Sequence, residues 1–244
     1  MNSRLSGLKS IIKRGQFFYI SDPNDIFYLT GFSGSFSRLV ISNDKNYFIT
    51  DKRYAGVAEE TGIDKLYEII VTDDYKKDIK KILKDNKKIF ICPSALLAEY
   101  LWMIDSGYKP VVNSRISDLR MIKDNVEIEM IKKSIEICEK GILYILSILK
   151  NNITEIELAN EFEYYIRKDG ADSVSFPPII AFGANSSIPH YKTGTDKLNE
   201  NTIILVDAGA KYKGYCSDLT RIIGYRIIKT HLKKYLINYN IVRK

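Results

Sequence analysis

The sequence has little of what marks membrane, secreted and disulfide-bonded proteins. No stretch approaches the apolar length that spans a bilayer, and residues 1–16 carry scattered charges in place of the apolar core of a signal peptide. The 244 residues include three cysteines, which are far apart, odd in number and without metal-ligand spacing. We therefore expect free thiols, a cytoplasmic protein and no membrane partner.

Basic residues outnumber acidic ones, which gives a formal net charge of +7. The lysines within residues 76–84 alternate with Ile79, Ile82 and Leu83 at helical spacing, a pattern typical of the solvated face of an amphipathic helix. No recognised nucleic-acid-binding motif accompanies these lysines. We therefore predict a globular protein that has no nucleic-acid partner.

Helix and strand patterns alternate through the first half of the chain. This alternation predicts an α/β amino-terminal domain, residues 1–119, with helices and a mixed sheet. Residues 21–24 contain aspartate, proline and asparagine and predict a turn. The predicted strands lie near 17–20, 39–42, 47–50, 67–71 and 88–92, and the predicted helices near 5–12, 53–60, 76–84 and 94–105.

The second half, residues 120–244, predicts an α+β domain. Two capping-box patterns, at Asp124 and Thr154, each begin a helix. Strand patterns follow near 174–182 and 202–223, so we expect two helices laid on an antiparallel sheet. The first helix should bury one stripe, made of Ile128, Ile131, Ile135, Cys138, Ile142 and Ile145.

A strand, a turn and a second strand in residues 201–221 carry two aspartates. Asp207 ends an apolar strand and Asp218 lies within the next strand pattern, so a hairpin would make them neighbours. Two carboxylates that face one point suit a hard divalent ion. The alternative is that Asp207 satisfies turn amides while Asp218 pairs with Arg221 or faces solvent. Cys216 shares the predicted face of Asp218, and we expect it to be a small buried strand residue.

A polar loop upstream of the hairpin delivers His190, one of only two histidines in the chain. A neutral imidazole can exchange a proton, or donate to a developing oxyanion, near pH 7. Taken singly, a loop histidine is more often an ordinary surface residue. Gly183 and Asn185 belong to the same segment and are expected to shape the loop rather than to react.

In this order, the histidine loop and the two-aspartate hairpin resemble the family of aminopeptidase P, prolidase, methionine aminopeptidase and creatinase, whose catalytic domain has the pita-bread fold. Residues 119–135 are similar to the segment that opens this catalytic domain in aminopeptidase P and prolidase. Residues 22–35 and 50–54 are similar to their amino-terminal domain. The resemblance therefore implies a creatinase/prolidase-type α/β domain followed by an α+β pita-bread domain.

The resemblance also implies a chemistry. Two divalent ions, commonly manganese, cobalt or zinc, would be bridged by Asp218 and a hydroxide, and Asp207 would chelate one of them. His190 would stabilise the oxyanion or help to move protons. The substrate would be a peptide with proline in the second position or an Xaa-Pro dipeptide, and the enzyme would be a homodimer.

The chain departs from the family after Asp218. The family's second half-domain adds a histidine and two glutamates as ligands, whereas residues 225–244 contain no acidic residue and His231 lies too close to Asp218 to match. We therefore expect only the first half of the pita-bread domain, in a truncated or frame-shifted product that is inactive. The alternatives are a non-catalytic remnant or dimerisation module, and a creatinase-like amidinohydrolase, although the retention of both aspartates speaks against the latter.

Overall fold

The structure, a computed structural model, describes residues 2–84 and 88–226 of the chain. The chain divides into two compact units, residues 1–122 and 123–244, each of which is described by itself. His231, the second histidine of the chain, lies outside the described residues. None of the helices in the described ranges combines the length and the apolar character that a bilayer crossing requires.

The amino-terminal unit contains a six-stranded mixed sheet. Its elements are α1 (Asn2–Lys9), β1 (Phe17–Ile20), α2 (Pro23–Thr30), β2 (Ser37–Ile41), β3 (Asn46–Thr50), α3 (Ala55–Glu60), β4 (Glu68–Val71), α4 (Tyr75–Leu83), β5 (Lys88–Ile91), α5 (Leu97–Asp105), β6 (Lys109–Val112) and α6 (Arg115–Met121). The strand order is β4-β3-β2-β1-β5-β6. β2 pairs antiparallel with β1 and β3, and the other neighbours pair parallel.

Strand β1 lies inside this sheet and is buried on both faces. Phe18 and Ile20 belong to one apolar cluster, whereas Phe17 and Tyr19 belong to another. Successive side chains of a strand point to opposite faces, so β1 contributes to the core on both sides of the sheet. A strand that is covered on both faces carries a continuous apolar run rather than an alternating one, and the sequence of β1 has this form.

Residues 21–24 begin a helix, so the prediction of a turn there was wrong. Asp22 is the N-cap of α2, and its carboxylate accepts two backbone N–H groups of the first turn. Pro23 is the first residue of the helix, where its missing N–H is not needed and its fixed φ is already helical. The residues that suggested a turn are therefore capping residues.

The lysine-rich helix is confirmed as α4. Ile79 and Leu83 are fully buried, whereas Lys77, Lys80 and Lys81 are exposed. Helical periodicity predicts this division because residues three and four apart share a face. These lysines therefore lie on a solvated helix face.

The carboxy-terminal unit has two long helices and two three-stranded antiparallel sheets, where one sheet was predicted. Its elements are α7 (Asn125–Ser147), α8 (Glu155–Lys168), β7 (Ser173–Val174), β8 (Ile179–Phe182), a 3₁₀ turn (Gly183–Ser187), β9 (Thr202–Ala208), β10 (Ala210–Tyr212), β11 (Tyr215–Cys216) and β12 (Leu219–Tyr225). The sheet orders are β12-β9-β8 and β11-β10-β7. Pro177 and Pro178 separate β7 from β8, because proline supplies no N–H to a strand ladder.

Both predicted capping boxes are present. Asp124 accepts the N–H of Glu127, and Glu127 accepts the N–H of Asp124 in return. Thr154 and Glu157 form the same reciprocal pair at the start of α8. Each box satisfies two N–H groups that a helix start would otherwise leave unpaired, so local sequence determines where both helices begin.

The buried stripe of α7 differs in part from the predicted one. Ile128 is 38% exposed, and Ile131 and Ile135 are only half-buried, so these three predicted positions do not belong to the buried stripe. The stripe that faces the interior contains Ser134, Ile137 and Gly141 instead. A Cβ added to Gly141 would lie 2.6 Å from Cγ2 of Ile166, so the absence of a side chain lets α8 approach closely. The buried residues of α7 are Glu127, Ser134, Ile137, Cys138, Gly141, Ile142 and Ile145.

We predict that Gly141→Ala destabilises the carboxy-terminal unit. Alanine improves helix propensity by about 0.5–1 kcal/mol, but overpacking a well-filled core costs about 1–3 kcal/mol. The expected net result is a loss of about 1–2 kcal/mol in the free energy of unfolding, measured by urea denaturation.

Gly56→Ala in α3 is the matched control, because no atom lies within 4 Å of the added Cβ. This variant should be neutral or more stable by up to about 1 kcal/mol. Equal effects of the two substitutions would contradict the close approach of α7 and α8.

We predict that residues 1–122 fold alone. This unit has its own sheet and two apolar clusters, and domains of about this size commonly bury enough surface to be stable. A polypeptide that ends at residue 122 should show a cooperative thermal transition by circular dichroism. A gradual loss of signal without a transition would contradict the prediction.

Candidate active site

Strands β9 to β12 form one hairpin, and its register determines where the two aspartates lie. Thr220 is opposite Asp207, and Leu219 is opposite Ala208. At the tip, Lys213 and Gly214 both have positive φ, of 47° and 83°, as the residues of a two-residue type I′ loop must. The predicted hairpin is present, and its loop consists of Lys213 and Gly214, because Tyr212 and Tyr215 are already paired.

Asp207 and Asp218 lie on the same face of this hairpin. Asp218 follows β11 and precedes β12, and the ladder continues through this gap, because the N–H of Ser217 donates to the carbonyl of Ala210 at 2.9 Å. Asp218 is two residues before Thr220 and therefore takes the face of Thr220 and Asp207. The two carboxylates are diagonal neighbours, a relation in which Cα atoms are roughly 7–8 Å apart.

The aspartate face is the face that does not pack on the helices. Ile204, Val206 and Ala208 alternate with Asp207 along β9, and all three are buried in the apolar cluster that contains the helix residues. Asp207 itself is half-buried and Asp218 is exposed. The carboxylates therefore point away from the interior of the unit.

The hydrogen bonds of the two aspartates differ from the alternative in which Asp207 accepts turn amides and Asp218 pairs with Arg221. Asp207 accepts the Thr220 hydroxyl at 2.8 Å rather than turn amides. Asp218 has no ion-pair partner within the part of the chain that the structure describes. The guanidinium of Arg221 pairs with Glu139 at 3.3 Å, so the alternative pair between Arg221 and Asp218 is not formed.

A group of serines attaches the hairpin to α7. The Ala210 carbonyl accepts the hydroxyls of Ser134 at 2.6 Å and Ser175 at 2.8 Å, in addition to the N–H of Ser217. The buried hydroxyl of Ser217 donates to the Ser134 carbonyl at 3.1 Å. A Cβ on Gly209 would lie 2.0 Å from the Ser217 carbonyl oxygen, so only glycine fits between the strands. These residues were not predicted from the sequence, where their only signal is the run of small side chains.

Cys216 is exposed, so the expectation of a buried strand residue was wrong. It belongs to β11, which is an edge strand of the sheet β11-β10-β7. Cys216 is two residues before Asp218 and therefore takes the same open face, where its side chain remains accessible. Cys92 and Cys138 are buried, and burial raises the pKa of the Cys138 thiol to about 11.

His190 lies on the loop that follows the 3₁₀ turn after β8. Its side chain is exposed and its φ is 53°, a left-handed conformation in which histidine is enriched among non-glycine residues. It lines an open groove of about 570 Å³ together with Ile179 and Tyr191. Ile156, Ala159, Asn160 and Glu163 of α8 also line this groove, whereas Asp207 and Asp218 do not. Ile179, the β-sheet partner of Asp207, is the link between the groove and the strand that carries this aspartate.

A buried carboxylate, that of Glu155, holds the histidine loop. It accepts the Phe182 N–H and the Asn185 amide on one oxygen, and the Tyr191 hydroxyl and the Gly194 N–H on the other. Burial, followed by the hydrogen bond to Glu155, raises the pKa of Tyr191 to about 12, so the hydroxyl keeps its proton and donates. Glu155 was not predicted as a site residue, because its position in the first turn of α8 indicates only a helix start.

The described residues fit a divalent metal in part. Two carboxylates on one face are the oxygen donors that hard divalent ions prefer. Across residues 2–84 and 88–226, however, no three histidine, cysteine, aspartate or glutamate side chains form a group that could hold a metal ion. The register of the hairpin places Asp207 and Asp218 on one face, and His190 lies on a separate loop.

We predict that Asp207→Asn and Asp218→Asn each change stability by less than about 0.5 kcal/mol in the presence of a chelator. Asparagine can still accept the Thr220 hydroxyl, and Asp218 is exposed, so neither substitution leaves a buried group unpaired. Urea denaturation of the three proteins measures the difference.

Ser217→Ala is the positive control, because it removes a buried hydroxyl that donates to one carbonyl and accepts the Ala210 N–H. An unpaired buried group costs about 1–3 kcal/mol, and this variant should lose that amount. A clear loss of stability in both aspartate variants would show that the carboxylates serve the fold and would contradict a metal-binding role.

Each of the two units matches a known protein family. Residues 129–244 match metallopeptidase family M24, and residues 4–122 match the creatinase/prolidase N-terminal domain. The chain is 38% identical over 218 residues to YqhT of Bacillus subtilis, an uncharacterized peptidase, a match that covers 84% of this chain and 60% of that protein. The chain thus spans about 60% of the length of this curated relative.

Two solved structures give the same result. The Xaa-Pro dipeptidase of Bacillus anthracis is 28% identical with a TM-score of 0.88, over 99% of this chain and 69% of that chain. The X-Pro aminopeptidase of Thermotoga maritima is 30% identical with a TM-score of 0.84, over 95% of this chain and 67% of that chain. The predicted family and fold class are confirmed. The chain belongs to metallopeptidase family M24 and consists of a creatinase/prolidase-type α/β domain followed by the first part of a pita-bread domain.

Proposed function

We propose that this chain is the first part of a peptidase that hydrolyses the peptide bond before proline. The observation that carries the proposal is the placement of Asp207 and Asp218 on one open face of a hairpin. Asp207 is paired in the sheet with Ile179, which lines the groove that also contains His190. The names of the similar structures, an Xaa-Pro dipeptidase and an X-Pro aminopeptidase, support proline specificity. The substrate would be an Xaa-Pro dipeptide or a longer peptide with proline in the second position.

Asp207 and Asp218 would hold two divalent ions of the kind used in this family, manganese, cobalt or zinc. When bound, such ions would lower the pKa of a water molecule and polarise the substrate carbonyl. The hydrogen bond from Thr220 occupies one oxygen of Asp207 and orients the carboxylate. The serine contacts of the neighbouring strand hold the position of Asp218 relative to α7.

His190 would act on the substrate rather than bind metal. Its imidazole is exposed at the groove, where an N–H could donate to the oxyanion that forms as the peptide bond is attacked. Pro177, Pro178 and Ile179 provide the apolar wall of the same groove. This wall would hold an apolar part of the substrate beside the imidazole.

A second candidate function is that of a non-catalytic module. The observation that favours it is the absence of any three-ligand group within residues 2–84 and 88–226. Two carboxylates do not determine coordination number or bridging geometry, so they do not make a dinuclear hydrolase by themselves. The two candidates differ in whether metal-dependent hydrolysis is observed.

The proposed assembly is a homodimer, and the proposed location is the cytoplasm. Leu97, Leu101 and Ile104 follow one another on a single face of α5, and all three are exposed. A second copy of the chain would cover this apolar strip. Three cysteines without a disulfide fit a reducing compartment.

The test joins residues 1–226 to the part of the Thermotoga maritima enzyme that lies beyond the matched region. We expect this chimera to hydrolyse Xaa-Pro peptides with manganese or cobalt and to lose the activity with a chelator. His190→Ala should lower kcat by about 10²–10³-fold, as the loss of one oxyanion donor does. Asp207→Asn should abolish turnover, because it removes a proposed metal ligand.

Asp172→Asn is the matched control, because the Asp172 carboxylate accepts only the Gly214 N–H at the hairpin tip in the described structure and the residue is exposed. This variant should retain activity. The 244-residue polypeptide alone should bind manganese weakly by calorimetry and show no turnover. Equal cleavage of Xaa-Pro and Xaa-Ala peptides by the chimera would refute proline specificity, and chelator-resistant turnover would refute the metal site.

A further inference from the structure

Glu155 and the histidine loop form one structural unit. We propose that Glu155 is a positioning residue for His190, a role that rests on the proposed function of His190. Glu155 neither lines the proposed substrate groove nor contacts the aspartates in the described structure; it acts through the backbone and side chains on either side of the histidine, including Tyr191 of the groove lining.

The carboxylate of Glu155 is completely buried, yet both of its oxygens are satisfied. One oxygen accepts the Phe182 N–H at 2.8 Å and the Asn185 side-chain amide at 3.0 Å. The other accepts the Tyr191 hydroxyl at 2.9 Å and the Gly194 N–H at 3.0 Å. Glu155 is also the first residue of α8, where the helix dipole favours a negative charge. Four donors and the dipole together offset the desolvation of this charge.

The donors bracket His190 along the chain. Asn185 is five residues before the histidine, Tyr191 is the next residue, and Gly194 is four residues after it. The Asn185 amide also donates to the Tyr191 hydroxyl at 2.9 Å, which joins the two ends of the loop directly. The position of the His190 backbone is therefore restrained from both sides by contacts to one buried group.

The backbone of His190 needs this restraint. Its positive φ is sparsely populated for non-glycine residues, and such a conformation persists only when the surroundings determine it. Thr193 adds a further restraint, because its hydroxyl accepts the Ile180 N–H and donates to the Pro178 carbonyl. If Glu155 were removed, only the hydrogen bonds of Thr193, of those named above, would still join the loop to β8 and the residue before it.

Glutamine cannot replace Glu155 in this role. A carboxylate accepts on both oxygens, whereas a glutamine side chain accepts on one oxygen and donates from its nitrogen. The nitrogen would face either the Gly194 N–H or the Phe182 N–H, so at least one buried backbone donor would lose its acceptor. Glu155→Gln therefore keeps the size of the side chain and removes its ability to hold both ends of the loop.

Glu157→Gln provides the matched control. Glu157 lies in the same first turn of α8, carries the same charge and is exposed. Its hydrogen bonds go to Thr154, and glutamine can also complete a capping box. This variant therefore removes one negative charge from the same helix start without touching the loop that carries His190.

The experiment uses NMR on the 244-residue chain with His231→Gln, which leaves His190 as the only histidine. We expect Glu155→Gln to shift the His190 imidazole signals and to speed amide exchange of Gly194 by about tenfold or more. Glu157→Gln should leave both at the values of the parent protein. Unchanged His190 signals in folded Glu155→Gln, or equal changes in the two variants, would overturn the proposal; a lower thermal midpoint alone would overturn it as well, since it would indicate a purely stabilising role.

Tyr191→Phe covers the case in which Glu155→Gln does not fold. This variant keeps the carboxylate and three of its four donors, and it should shift the His190 signals while the chain remains folded. Unchanged His190 signals in Tyr191→Phe would then overturn the proposal. Neither NMR readout uses a substrate. A chimera without Xaa-Pro activity would therefore count against the proposed function, whereas the NMR result on Glu155 would not depend on that outcome.

Discussion

The carbonyl oxygen of Ala210 is the contact on which the arrangement of the hairpin depends. Two serine hydroxyls, from α7 and from the segment after β7, and one backbone N–H across the hairpin donate to it. A shift of one residue in strand register would turn Asp207 toward the helices and bring a buried apolar side chain to the open face. The serine hydrogen bonds oppose such a shift, because they form only when the Ala210 carbonyl lies opposite Ser134 of α7.

Close packing in the carboxy-terminal unit follows from the same contact. Ser134, Cys138 and Gly141 are small, and they lie one turn apart on α7. The Cys138 thiol is 3.4 Å from the Ala208 carbonyl, so the helix lies directly against the strand that carries Asp207. Larger side chains on this stripe would separate helix from hairpin and remove the hydrogen bonds that hold the register.

The features that the sequence predicted are the local ones. The capping boxes at Asp124 and Thr154, the lysine-rich helix and the two-aspartate hairpin depend on residues within a few positions of each other, and all are present. The family was also predictable, because the order of the histidine loop and the hairpin lies in the chain itself. The features that were missed depend on tertiary contacts: the small-residue stripe reflects the distance between helices, and the role of Glu155 depends on a loop that begins 27 residues later in the chain, at Phe182.

The histidine loop also affects the edge of the sheet to which it is attached. Strand β8 is a terminal strand of the order β12-β9-β8, and such strands can pair with another extended chain. Two of its N–H groups, those of Ile180 and Phe182, already donate to Thr193 and Glu155. Side chains from a loop and a helix thus take the place of a further strand. The segment that presents the histidine also protects this border of the sheet from intermolecular β-pairing and aggregation.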